Sequence, residues 1–124
     1  MRKTFMLFAL FASAVGLFAR TQIKIDRIEP EYWFVGMKQT ELQLMVYGAD
    51  IGKAGVALAN YDGVTLKQVV QLDSPNYLLV YLDVAETTQP GTLQLIFTIN
   101  RKKKIVKYDL RQREKPGTER VGFD

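Results

Sequence analysis

The stretch Glu41–Gly48, ELQLMVYG, places Leu42, Leu44 and Val46 on every second position, with Gln43, Met45 and Tyr47 between them. A helix would need apolar residues three and four apart, so a period of two predicts an extended strand with one face buried. The same period recurs on both sides of it. Upstream, QIKIDRIE (Gln22–Glu29) alternates through Ile23 and Ile25 and then slips phase to Ile28, as a bulge would cause. Downstream, GVALANYDGVTLKQVVQL (Gly55–Leu72) reads as two strands around Asp62-Gly63, a dipeptide suited to a tight hairpin turn. YLLVYLDV (Tyr77–Val84), TLQLIFTI (Thr92–Ile99) and KIVKYDL (Lys104–Leu110) come next, with Leu93, Leu95, Phe97 and Ile99 on one side, then Val106, Tyr108 and Leu110. No segment has the spacing of an amphipathic helix.

About seven short strands joined by turns predict an all-β fold, an immunoglobulin-like (early-set) β-sandwich over residues 20–111. The basic run RKKK (Arg101–Lys104) falls where a hairpin turn is expected. Residues 112–124, with Pro116-Gly117 and many charges, read as a linker leading away from the sandwich.

Two strands have apolar residues on both faces. Opposite Leu78, Val80 and Leu82 stand Tyr77, Leu79 and Tyr81, and opposite Leu42, Leu44 and Val46 stand Met45 and Tyr47. In an immunoglobulin sandwich the second and fifth strands are sheet neighbours. Met45, Tyr47, Tyr77, Leu79 and Tyr81 are then expected to form one outer patch. Such a patch suits a surface that another surface covers. Tyrosines also suit strands with their rings flat and their hydroxyls in water, and both readings stand at this point.

Residues 1–19, MRKTFMLFALFASAVGLFA, carry Arg2 and Lys3 before an apolar run from Phe5 to Phe18, the layout of a cleavable signal peptide. That run is shorter than the roughly 20 residues a membrane-spanning helix needs. Export is therefore expected, with no membrane attachment after cleavage. Loss of Arg2 and Lys3 leaves 15 basic residues against 13 acidic, so the formal charge of +4 falls to about +2. A nucleic-acid footprint needs a larger and more clustered excess.

The chain has no Cys and no His, which removes thiol nucleophiles, imidazole bases, disulfides and the usual zinc ligand sets. Its 13 acids are scattered: Glu29 and Glu31 flank Pro30, and Asp50 and Asp62 stand in loops without the ligand spacing of a calcium loop. A glycosidase needs two carboxylates held about 5 to 10 Å apart, and no motif here specifies such a pair. No phosphate-binding glycine loop occurs. Neither a catalytic function nor a metal or cofactor is expected of this chain.

The segment RIEPEYWFVGMK (Arg27–Lys38) stands apart, with Tyr32, Trp33 and Phe34 in succession after Pro30 and before Gly36. Its form, Pro-x-x-aromatic-aromatic-x-Gly-Met running into ELQLMVYG, resembles the N-terminal domain of bacterial cyclomaltodextrinases and neopullulanases. These are family 13 glycoside hydrolases of the α-amylase type, and the secreted Bacteroides-like neopullulanases are particularly similar. LDSPNYLLVYLDV (Leu72–Val84), QPGTLQLIF (Gln89–Phe97) and ERVGFD (Glu119–Asp124) fit the same domain. The family pattern commonly has two tryptophans where this chain has Trp33-Phe34.

The resemblance implies a non-catalytic accessory domain whose partner is the (β/α)8 barrel of an enzyme acting on α-1,4-glucans, located in the periplasm. In that family a GFD-like segment leads into the barrel holding the catalytic Asp, Glu and Asp, and those residues are expected to have no counterparts here. Tyr32, Trp33 and Phe34 would pack on the barrel, touch α-glucan, or plug one end of the core. A homodimer, a free-standing starch-binding module and a protein-binding sandwich remain open as alternatives.

Overall fold

The computed structural model describes residues 22–113. The signal peptide expected at 1–19 and all but Gln112 and Arg113 of the expected linker lie outside the described residues. Among the described residues, eight strands form two four-stranded sheets. They are β1 (Arg27–Glu29), β2 (Tyr32–Phe34), β3 (Glu41–Tyr47), β4 (Gly55–Leu58), β5 (Val64–Gln71), β6 (Tyr77–Val84), β7 (Gly91–Ile99) and β8 (Lys102–Arg111). A 3-10 turn, Ile51–Lys53, joins β3 to β4. The first sheet has the order β1-β3-β6-β5 and the second β2-β8-β7-β4. No helix among the described residues is long and apolar enough to cross a membrane.

The alternation explains the core. β3 and β6 pair antiparallel over seven consecutive residue pairs, among them Leu42 with Leu82, Leu44 with Val80 and Val46 with Leu78. These six side chains are buried, and Leu93, Leu95, Phe97, Tyr108 and Leu110 of the second sheet meet them from the other side. The expected neighbourhood of the second and fifth segments is thus observed, and its inner set is the expected one.

Four local expectations are corrected. There are eight strands rather than about seven, because Tyr32–Phe34 is a strand of its own, parallel to β8. The first strand is shorter than Gln22–Glu29: only Arg27–Glu29 pairs with β3, although the Asp26 N–H still donates to the Tyr47 carbonyl at 2.8 Å. The phase slip at Ile28 is real, since Ile23, Ile25 and Ile28 all pack against the core. Third, Asp62-Gly63 turns the chain without making a hairpin, because β4 pairs with β7 while β5 pairs with β6. The turn therefore carries the chain between sheets. Gly63 has φ +93°, and a side chain there would strike Thr88, whose Oγ1 donates to the Gly63 carbonyl at 3.1 Å. Fourth, the β7–β8 turn is Asn100-Arg101, with Asn100 at φ +56°, and Lys102–Lys104 belong to β8.

The chain also changes sheet between β1 and β2. The chain leaves the first sheet at Glu29 and joins the second at Tyr32, so Pro30 and Glu31 bridge the sandwich on one side. The buried Tyr108 hydroxyl donates to the Pro30 carbonyl at 2.8 Å and ties this bridge to β8. Burial disfavours the phenolate and pushes the Tyr108 phenol above its ordinary value.

Tyr108→Phe should lower stability at pH 8 by about 1–2 kcal/mol, because the Pro30 carbonyl loses its donor. The wild-type phenol stays protonated in the fold, whereas in the unfolded chain it ionises near its ordinary pKa of about 10. Its contribution is complete below that value and is lost as pH rises above it. Urea titrations at pH 8 and pH 11 should therefore show the gap between wild type and Tyr108→Phe narrowing at the higher pH.

Candidate functional site

The eight residues expected to form an interaction surface fall into two groups, one on each sheet, and all but Trp33 face outward. The first lies on the sheet of β3 and β6. Register places Tyr47 opposite Tyr77, Met45 opposite Leu79 and Gln43 opposite Tyr81, all on the face turned away from the core. The Tyr47 and Tyr77 ring centroids are 4.9 Å apart with the planes tilted by 48°, an arrangement that contributes beyond simple burial. The Arg27 guanidinium of β1 lies 4.6 Å from the Tyr47 ring centroid. Its ion pair with Glu29, 3.3 Å and half exposed, adds little stability of its own. Met45, Tyr47, Tyr77, Leu79 and Tyr81 are each half-buried, and together they make one strip across the sheet.

Val70 of β5 extends this strip, since it pairs with Leu79. Alternation alone hides it. The register shifts between Leu66 and Gln68, so the extra residue Lys67 reverses the facing of the rest of the strand. Leu66 and Val69 both pack on the core, an odd spacing that signals the bulge, and Val70 is left outside.

The second group is the trio on β2. Tyr32 pairs with Asp109, Trp33 with Leu110 and Phe34 with Arg111. Leu110 is buried, so Trp33 shares the inward face and packs against the core, while Tyr32 and Phe34 face out. Tyr32 is 37% exposed and meets Phe34 edge-on, with ring centroids 5.7 Å apart and planes at 88°. The Arg111 guanidinium stacks over Tyr32 at 3.7 Å from the ring centroid. Sequence reasoning does not single out Arg111; its place on β2 comes from a parallel pairing that local patterns do not reveal. Just beyond it, Gln112 and Arg113 are exposed and outside any strand.

The loop acids Asp50 and Asp62 stand in separate turns. Asp62 lines a polar cleft with Asn60, Tyr61, Thr88 and Gln89, where the Tyr61 hydroxyl donates to the Gln89 carbonyl at 2.7 Å. Asp50 has φ +58°, and its N–H is held by the Asn76 side-chain oxygen at 3.1 Å. No group of three or more metal-capable side chains occurs among the described residues.

Two four-stranded sheets enclosing one core make the domain a β-sandwich. Residues 27–114 match the family model described as cyclomaltodextrinase, N-terminal, and the chain belongs to that family. The domain is the non-catalytic N-terminal part of cyclomaltodextrinase-type enzymes, which are glycoside hydrolases.

Trp33→Ala should cost about 2–3 kcal/mol, toward the lower end for a large core aromatic because the ring is only half-buried. Tyr32→Ala should cost less than about 1 kcal/mol, the scale of an exposed cation–π contact. Paired thermal melts check this ordering.

Proposed function

We propose that this domain is the immunoglobulin-like accessory module of an exported α-glucan hydrolase of the neopullulanase or cyclomaltodextrinase kind. It packs on the enzyme's (β/α)8 barrel through the strip Met45, Tyr47, Val70, Tyr77, Leu79 and Tyr81. The carrying observation is that these residues, though far apart in sequence, lie contiguously on the outer face of one sheet. An aliphatic and aromatic strip there gains by exclusion from water, at about 25 cal/mol per Å² of apolar surface covered. The immunoglobulin-like assignment draws on strand order. With β1 and β2 as the two halves of a first strand that changes sheet, the remaining strands adopt the constant-type arrangement. Export rests on the leader-like layout of residues 1–19, and the periplasm on the family resemblance.

The barrel would be reached through residues 112–124. Thirteen residues span at most about 45 Å when extended, several times the roughly 10 Å between packed sheets. Reach therefore does not choose the docking face; the apolar strip does. The Tyr32–Phe34 edge, beside the point where the chain leaves β8, would then border the barrel or its substrate entrance.

A free-standing starch-binding role would rest on Tyr32, not on Trp33. One face of the Tyr32 ring is covered by Arg111, which leaves one face for a sugar. Retardation in amylopectin gels that disappears in Tyr32→Ala would support that role.

The Tyr47→Glu, Tyr77→Glu double variant should remain folded, since both rings are only half-buried. Its affinity for a separately produced barrel of this enzyme family should fall at least tenfold by sedimentation velocity, with any self-association of the domain falling too. Unchanged binding by the folded double variant would overturn the assignment of the strip.

A further inference from the structure

β8 has one edge that is only partly covered. Its turn with β7 makes Ile99 and Lys102 the closing pair, so Lys104, Val106, Tyr108 and Leu110 exchange backbone hydrogen bonds with β7. Lys103, Ile105, Lys107, Asp109 and Arg111 direct their N–H and C=O groups to the other side. There β2 takes up the last two, and the Val35 N–H donates to the Arg111 carbonyl at 2.9 Å. Ahead of Asp109 no strand pairs with that edge among the described residues, because β1 has gone to β3 instead. Lys103, Ile105 and Lys107 thus present a repeating row of backbone donors and acceptors.

A groove of about 380 Å³ runs along this edge. Ile25, Ile28, Ile105 and Val106 supply its apolar lining, and Ile105 is 58% exposed, the most of any large apolar residue in the described chain. Lys104 and Lys107 supply two positive charges against one negative charge, Glu31, while Arg27, also at the lining, has its guanidinium paired with Glu29. The end toward β2 is bounded by the Pro30–Glu31 bridge held by Tyr108.

We propose that the Lys103–Lys107 edge of β8 is a strand-addition site for an extended acidic segment of a partner protein. Main-chain hydrogen bonds supply affinity in this mode, and alternate side chains supply selectivity. Lys103, Ile105 and Lys107 share the outer face, so the matching strand carries acid, any strand-former, acid at those positions. Its two intervening residues are apolar and face Ile25, Ile28 and Val106. A second copy of this edge does not fit. Antiparallel pairing centred on Ile105 would set Lys103 against Lys107, and like charges directly opposite each other destabilise a pair. The site is distinct from the β3–β6 strip, and its test is independent of barrel docking.

The probe is the blocked peptide TEVTVET, with TKVTVKT as control, titrated into the ¹⁵N-labelled chain. TEVTVET should shift the amides of Lys103, Ile105, Lys107 and Ile28 at sub-millimolar concentration, and TKVTVKT should bind at least tenfold more weakly. Added salt should narrow that difference. Ile105→Pro should abolish the shifts with the fold retained, because the Ile105 N–H is not used by β7 and proline is tolerated on an open edge. The charge-reversed pair Lys103→Glu, Lys107→Glu should exchange the preference and bind TKVTVKT. The proposal is overturned by absence of shifts at millimolar TEVTVET, by equal binding of both peptides, or by shifts centred on Tyr47 and Tyr77. Concentration-dependent shifts at Lys103–Lys107 without peptide would replace the acidic partner with a second copy and overturn it as well.

Discussion

The uninterrupted β3–β6 ladder is the constraint on which the rest of this domain depends. Seven antiparallel pairs fix which side chains face inward, because a slip of one residue would turn the slipped strand's outer set toward the core. The observed register buries Leu42, Leu44 and Val46 against Leu78, Val80 and Leu82. A slipped β3 would bring Met45 and Tyr47 inward, and a slipped β6 would bring in Tyr77, Leu79 and Tyr81, stranding tyrosine hydroxyls away from water at a cost of about 1–3 kcal/mol for each one left unsatisfied. Core and strip are two consequences of one register. On the outer face the same register sets Tyr47 and Tyr77 against each other.

Two of the chain's passages between sheets determine much of what the second sheet displays. At Pro30 the chain passes from β1 to β2, and the Tyr108 hydroxyl holds the passage. That transfer sets Tyr32 and Phe34 outward beside Arg111, with Trp33 against the core. It also pairs β1 with β3 instead of β8, which leaves the Lys103–Lys107 edge without a paired strand among the described residues. On the other side Asp62-Gly63 carries the chain from β4 to β5 beneath Thr88. One sandwich therefore presents three surfaces of different chemistry: an aliphatic and aromatic strip, a cation-stacked aromatic edge, and a basic strand edge.

The core and the strip are legible in the sequence because both result from alternation within single strands. Leu44 and Tyr47 declare their faces to anyone who counts by two. The illegible features depend on partners remote in sequence. Trp33 can be assigned inward only once its pairing with Leu110 is known. Asp62-Gly63 specifies a local turn and carries no information about which sheets the flanking strands join. Val70 escapes a count by two because the irregularity at Lys67 reverses the period. Arg111 escapes as a partner of Tyr32, since a parallel strand pair leaves no local signature. RKKK resembles a turn by its charges, whereas the positive φ of Asn100 places the turn one residue earlier.

Hydroxyl-radical footprinting of the domain, alone and with the barrel of a cyclomaltodextrinase-type enzyme, tests the central claim directly, because it reads the accessibility of individual side chains. The account predicts that Met45, Tyr47, Tyr77 and Tyr81 become protected in the complex while Ile105 stays reactive. Continued reactivity of those four residues, with protection appearing at Tyr32 and Phe34 instead, would contradict it and move the docking face to the opposite sheet.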